Sequence, residues 1–408
     1  MRISTGQLYD RSIRAVLDNQ DDLSDVQQQL STGKKLLRPS DDPVGSAQVI
    51  RLTEEIDLIN QYNKNNNLLT NSIEQEETIL GNVTDNIQRA RQLMIQAGNG
   101  ILDVDDRKAI AIEIGQIRDQ IFDAMNSQSA NGEYIFAGYQ SATPAFSYNA
   151  GASGNKYAFE GDEGLNEIRI SNTFSLAMNN SGQTVFEDVY ARLDSQITSS
   201  SGVASASTRI STQNEFDQFH SQNYDPVVAA NNEFQISISA ADQVTITNVG
   251  TGAVVGTQPF ISGEPFEFKG QEFTIEGVVG DTVNYALQKP EKKNIAETLN
   301  DFYNSLNDEN ISDQDYAQAI SDALIGVDNS LTSIADSISL LGGKLNVAQS
   351  VFASNLDLEI SNKTARANIE EVDYAEAVSE LSKQEAALQA AQATFAKVTG
   401  LSLFDYIS

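Results

Sequence analysis

Residues 324–355 read LIGVDNSLTSIADSISLLGGKLNVAQSVFASN. Within them Leu324, Val327, Leu331, Ile334, Ile338, Leu341, Leu345, Ala348, Phe352 and Asn355 recur at alternating spacings of three and four. That is an a/d heptad repeat, and it predicts a long helix with one seam that needs a partner helix. Asn355 is a polar seam residue of the kind that fixes register. Gly342-Gly343 should loosen the helix locally, at a cost of about 1 kcal/mol per glycine. A similar repeat returns at Leu381, Gln384, Leu388, Ala391, Phe395 and Val398. Beyond it, Leu401, Leu403, Phe404, Tyr406 and Ile407 form an apolar tail that needs tying down.

The other end of the chain carries a matching pattern. Tyr9, Ile13, Val16, Gln20, Leu23, Gln27 and Leu30 alternate by four and three. A break follows at residues 31–43, STGKKLLRPSDDP. A second helix should start there, with Asp42 as N-cap and Pro43 at its first position. It carries Val49, Leu52, Ile56 and Ile59, then Ile73, Leu80, Val83 and Ile87. The turn Gly98-Asn99-Gly100 and the acids Asp103, Asp105 and Asp106 set off a third helix with Ile110, Ile114, Ile117 and Ile121.

Proline and glycine mark the middle of the chain. No proline falls in 44–143 or 291–408, whereas 13 of the 26 glycines lie in 145–290. The flanks should therefore be helical and the middle built of strands and turns. Phe234–Ser239 and Val244–Thr247 alternate with period two, and Phe266–Ile275 reads as a hairpin turning at Lys269-Gly270. Residues 195–223 are rich in Ser, Thr, Gln and Asn and read as a polar loop or insertion. The expected fold is α+β. A long antiparallel helical, coiled-coil rod forms from the N- and C-terminal segments, with an inserted mainly β domain. The expected divisions are 1–43 with 365–408 (terminal helices), 44–145 with 291–364 (rod), and 146–290 (insert).

Composition excludes much chemistry. The chain has 408 residues, no cysteine, no tryptophan and one histidine, His220. A thiol nucleophile, a disulfide or a Cys-ligated metal is impossible, and one histidine cannot build a His-rich metal site. With 57 acidic against 26 basic side chains the net charge is −31, which repels nucleic-acid phosphates and anionic membranes. No apolar run reaches the roughly 18 residues a membrane span needs. The carboxylate pairs Asp41-Asp42, Asp105-Asp106 and Glu370-Glu371 read as acids at helix starts rather than a catalytic pair. His220 is expected at the surface of the polar loop. Gly342-Gly343-Lys344 lacks the rest of a phosphate-binding loop. Neither a catalytic residue, a cofactor nor a metal is expected.

Several motifs resemble the flagellin superfamily, and within it the hook-associated members. They are Met1-Arg2-Ile3-Ser4-Thr5; Ser31-Thr32-Gly33-Lys34-Lys35 followed by Pro39-Ser40-Asp41-Asp42-Pro43; and Asn131–Tyr139, NGEYIFAGY. Phe159–Gly164 (FEGDEG), Glu167–Ile170 (EIRI) and Asn368–Glu376 (NIEEVDYAE) complete the set. The resemblance covers roughly 1–170 and 260–408. It implies a non-enzymatic subunit that joins hook to filament, polymerises with itself above hook-associated protein 1, and templates flagellin assembly. It also implies export by the flagellar type III apparatus, a chaperone on the C-terminal helix, and an extracellular position in the flagellum. Gln88–Gln96 is similar to a flagellin stretch that touches neighbouring subunits, which makes Arg89 and Arg91 candidate contact residues. The linker residues Pro39, Asp41, Asp42 and Pro43 separate hook-associated members from flagellin, the alternative reading; a secreted surface binding module is a third.

The residues suggest a mechanism by themselves. Ile13, Val16, Leu23 and Leu30 on one end, and Leu381, Leu388, Phe395 and Val398 on the other, form seams worth about 25 cal/mol per Å² buried. One helix pair covers such seams incompletely, so the ends should be loose in a monomer and order on assembly. The charge distribution agrees: residues 1–45 carry a net −1 and residues 146–290 a net −11. Tyr134, Phe136 and Tyr139 read as a core hairpin.

Overall fold

The computed structural model describes residues 5–99, 102–152 and 154–404. Met1–Ser4, Gly100, Tyr406 and Ile407, which figure in the expectations above, lie outside the described residues, as do the side chains of Val398, Leu401, Leu403 and Phe404. Helices α1 (Thr5–Thr32), α2 (Pro43–Ala97) and α3 (Val104–Met125) come first. Strands β1 (Phe146–Tyr148), β2 (Tyr157–Phe159), β3 (Glu167–Arg169) and β4 (Ser175–Ala177) form two short hairpins. Next are β5 (Ser195–Ser201), β6 (Ser205–Ile210), α4 (Gln213–Asn223), β7 (Glu233–Ala240), β8 (Gln243–Asn248) and β9 (Val254–Pro259). Then follow β10 (Pro265–Phe268), β11 (Gln271–Glu276), β12 (Thr282–Leu287), α5 (Ile295–Asn307), α6 (Asp313–Glu370) and α7 (Tyr374–Phe404). The class is α+β, with long terminal helices flanking an antiparallel sheet region in sequence.

Two compact units divide these elements. The first holds residues 5–68, 168–176 and 346–404. In it α1 packs along α7. The first part of α2 pairs with the last part of α6: Asn66 Nδ2 donates to the Ala348 carbonyl at 2.8 Å, and Asn362 Nδ2 to Glu55 at 3.3 Å. Numbers rising on α2 meet numbers falling on α6, so the helices are antiparallel. Ile56, Ile59, Tyr62 and Ala348 are buried between them. Asn355, a seam position in the heptad, is buried, and its Nδ2 donates to the Ile170 carbonyl at 2.9 Å. The polar seam residue thus serves the 168–176 segment, where Arg169 O and Asn172 Oδ1 also accept from Asn65 and Tyr62.

The second unit holds the described residues of Leu69–Glu167 and Ala177–Leu345. Here Ile73, Leu80, Val83, Ile87 and Met94 of α2 are buried, as are Val327, Ile334 and Leu341 of α6. Helix α6 runs unbroken through Gly342-Gly343. The seam residue Leu341 is fully buried beside the glycines, and that packing outweighs their poor intrinsic propensity. Helix α3 packs on α5, with Arg118 Nη1 donating to Asn300 at 3.0 Å.

The strands form a five-stranded antiparallel sheet ordered β5-β12-β7-β8-β9 and a three-stranded sheet ordered β10-β11-β6. Phe234, Ile236, Val244, Ile246, Phe273 and Tyr285 fill the core between them. The β10–β11 hairpin turns on Lys269 and Gly270, both at positive φ (53° and 76°), as a type I′ turn requires.

Residues 195–223 correct the sequence reading. They form β5, β6 and α4 rather than a loop. Their serines and threonines line strands whose hydrogen-bond partners, β12 and β11, are distant in sequence. Phe216 and Phe219 of α4 are buried in the same core. His220 is likewise buried, not at the surface: its Nε2 lies 2.7 Å from the Gln288 carbonyl, and its ring stacks on Tyr224 at 5.0 Å.

Candidate assembly surface

Helices α1 and α7 meet along the two terminal heptad patterns. Ile13, Val16, Leu23 and Leu30 of α1 are half-buried, as are Leu381, Leu388 and Phe395 of α7. The Tyr9 and Phe395 rings meet at 5.3 Å. Buried positions are Val26 and Ala377, which the sequence reading passed over. Both fit the same faces, Val26 three residues after Leu23 and Ala377 four before Leu381. The pair also leaves apolar side chains in water: Leu17 is 53% exposed, Tyr374 58% and Val378 51%. Two helices cannot enclose an apolar perimeter of this kind, so the surface left over favours further association.

The linker after α1 is tightly organised. Asp42 Oδ1 accepts from Val44 N at 3.1 Å and Gly45 N at 2.9 Å, which caps α2 ahead of Pro43. Asp41 accepts from Arg38 N at 2.8 Å across Pro39. At the other end Asp373 caps α7 in the same way, accepting from Ala375 N at 2.8 Å. Glu370 and Glu371 therefore do not open a helix as expected; Glu370 is the last residue of α6. An acid at a C-terminus opposes the helix dipole, and here Lys34 and Arg366 supply the compensating charge. Helix α6 also runs past residue 365, where the sequence reading begins the terminal segment.

Arg89 and Arg91 project from α2 and are engaged within the chain. Arg89 Nε donates to Glu113 at 2.6 Å and Arg91 Nε to Asp328 at 2.6 Å. Each retains exposed surface, with side-chain exposures of 52% and 42%.

Two of the quoted motifs meet in space. Asp162 of FEGDEG accepts through Oδ1 from Tyr139 N and Gly164 N, each at 2.8 Å. Gly138 sits at φ 70°, and a Cβ there would lie 2.3 Å from the Asp162 carbonyl oxygen. Phe136 is fully buried against Phe186, 5.1 Å away and edge-on. The segment is a series of turns, with one bridge between Gln128 and Tyr134, rather than the expected hairpin of strands. Tyr139 is 67% exposed, because the turn at Gly138 aims it outward.

Among the described residues no helix is long and apolar enough to cross a membrane. The bacterial flagellin N-terminal helical region matches residues 3–141. Flagellar hook-associated protein 3 of Salmonella typhimurium is 25% identical over 404 residues, covering 99% of each chain. The chain is thus similar to a flagellar hook-associated protein along its whole length and to flagellins over its N-terminal part. Flagellar hook-associated protein 3 of Escherichia coli is 33% identical over 189 residues, 46% of this chain and 58% of that one. A crystal structure of hook-associated protein 3 from Legionella pneumophila shares the fold, with a TM-score of 0.59 at 23% identity over 79% of this chain and 99% of that one. Flagellins match over shorter stretches than the Salmonella relative does.

Proposed function

We propose that this chain is a structural, non-enzymatic subunit of the bacterial flagellum that joins the hook to the filament. The observation that carries this reading is a half-covered α1–α7 pair in a chain that aligns end to end with a flagellar hook-associated protein. In this reading the terminal segments, 1–43 and 365–408, form the inner tube of the assembly. Residues 44–145 and 291–364 form the helical rod, and 146–290, with its net charge of −11, faces the medium. The subunit associates with copies of itself above hook-associated protein 1 and offers flagellin a starting surface. Arg89 and Arg91 contact the neighbouring subunit by trading Glu113 and Asp328 for its acids. The chain leaves the cell through the flagellar type III apparatus, escorted by a chaperone on the C-terminal helix.

Deletion of the gene followed by electron microscopy tests the reading. Hooks without filaments, with flagellin shed to the medium, are expected; normal filaments would overturn it. Flagellin itself is the second reading, favoured by the helical region at residues 3–141. Abundance separates the two, since a filament protein dominates sheared flagella and a junction protein is a trace component.

A further inference from the structure

The connector that follows α1 and the one that precedes α7 come from opposite ends of the chain, yet they are hydrogen-bonded to each other. Lys35 N donates to the Glu370 carbonyl at 2.7 Å, and Val372 N donates to the Gly33 carbonyl at 3.0 Å. These bonds place Lys34 opposite Glu371 as an antiparallel bridge. Lys34 Nζ pairs with the Glu370 carboxylate, whose side chain is 17% exposed. Gly33 ends α1 at φ 71°, its N–H bonded to the Gln29 carbonyl at 2.8 Å, and a Cβ there would lie 3.1 Å from the Tyr374 hydroxyl. Each connector then leads into a helix capped by an aspartate, Asp42 or Asp373.

We infer that these connectors form one clasp: they open and bend together, so α1 and α7 change direction as a single arm and never slide past each other. The far end of the helix pair supports this independently. Tyr9 lies 25 residues before Lys34 and Phe395 lies 24 residues after Glu371. At about 1.5 Å per helical residue both are roughly 37 Å from the bridge, so a register set at the clasp brings these rings together. They meet at 5.3 Å. The seams alone are weak arbiters of register, because Ile13, Val16, Leu23, Leu30, Leu381 and Leu388 are only half-buried and a slip would exchange one aliphatic contact for another. Two backbone hydrogen bonds tolerate no such slip.

The chain has no cysteine, so a pair can be introduced without interference. Lys34 and Glu371 form the non-hydrogen-bonded type of antiparallel pair, whose Cα separation of roughly 4.5 Å suits a disulfide. The full-length double variant Lys34→Cys/Glu371→Cys should cross-link on mild oxidation, and its Tyr9–Phe395 end should keep the same register. Gly33→Ala, which forces a Cβ into a left-handed backbone, should raise amide exchange roughly tenfold across 33–35 and across 370–372 alike. Failure of the cysteines to cross-link in the folded chain, or faster exchange at 33–35 with none at 370–372, would show two independent connectors and overturn the clasp. The inference does not depend on which flagellar structure the chain enters.

Discussion

Glu76 and Lys344 share one partner: Asn180 donates its backbone N–H to Glu76 Oε2 at 3.2 Å and accepts from Lys344 Nζ through Oδ1 at 2.9 Å. Glu76 is fully buried, three residues along α2 from Ile73 and four before Leu80, at a position where the seam otherwise takes aliphatic residues. Its second oxygen has no hydrogen-bond partner among the described residues. Burial pushes its carboxyl up from 4.5 to about 7, with Lys344 and the Asn180 bonds opposing the rise. Burial also pulls Lys344 below the usual lysine range, offset by Glu76.

Stability should depend on pH through Glu76 with a definite sign. Its folded pKa lies above the unfolded value, so the folded chain holds a proton that the unfolded chain has released. The contribution is fullest below about 4.5 and is lost as pH rises through about 7. The whole shift corresponds to about 3 kcal/mol. In urea titrations Glu76→Gln should match the parent near pH 5 and exceed it by a few kcal/mol near pH 8, by the same linkage. An equal difference at both pH values would mean that Glu76 stays charged throughout.

Phe136→Ala should destabilise the second unit by about 3–5 kcal/mol. The ring is fully buried and meets Phe186 edge-on, so truncation removes transfer energy and leaves a cavity. Denaturant midpoints of the two chains measure it.

Gly138→Ala should cost more than the lower unfolded-state entropy of alanine returns. It demands a left-handed backbone at a non-glycine and drives Cβ into the Asp162 carbonyl, so a loss of roughly 1–3 kcal/mol is expected. A stable variant would mean that the 159–164 turn moves away without loss.

The terminal seams should matter for assembly more than for folding. Leu388→Glu puts a charge on a half-buried face and should leave the thermal unfolding of α2, α3, α5 and α6 unchanged while abolishing motility. Limited proteolysis of the free chain should begin within residues 1–40 and 366–408. If residues 50–130 are cut as fast, the ends are not the loosely held part.

Charge reversal at both arginines, Arg89→Glu with Arg91→Glu, breaks two exposed ion pairs, so unfolding should barely move. Loss of motility in that stable variant would support a contact with the neighbouring subunit. Intact motility would reject it.

Much of this molecule was legible along the chain. The heptads beginning at Leu324 and Tyr9, the Asp42-Pro43 helix start and the Lys269-Gly270 turn all rest on short-range effects: side-chain periodicity, one capping oxygen, two residues at positive φ. Such effects act over a few residues and leave a mark at fixed spacing. Three features leave no such mark. Glu76 stands on the aliphatic seam of α2 by spacing, and nothing near it in sequence shows that Asn180 and Lys344 will be there to receive it. His220 and the α4 helix read as polar loop because their apolar partners lie on β7, β10 and β12. Lys34 and Glu371 have nothing local to announce that their backbones pair. Local chemistry determined the long helices, their caps and the Lys269-Gly270 turn; long-range packing decided that 195–223 are strand and helix, which polar groups are buried and which connectors touch, because a polar strand, a buried charge or a backbone bridge is stabilised only by groups the chain brings from far away.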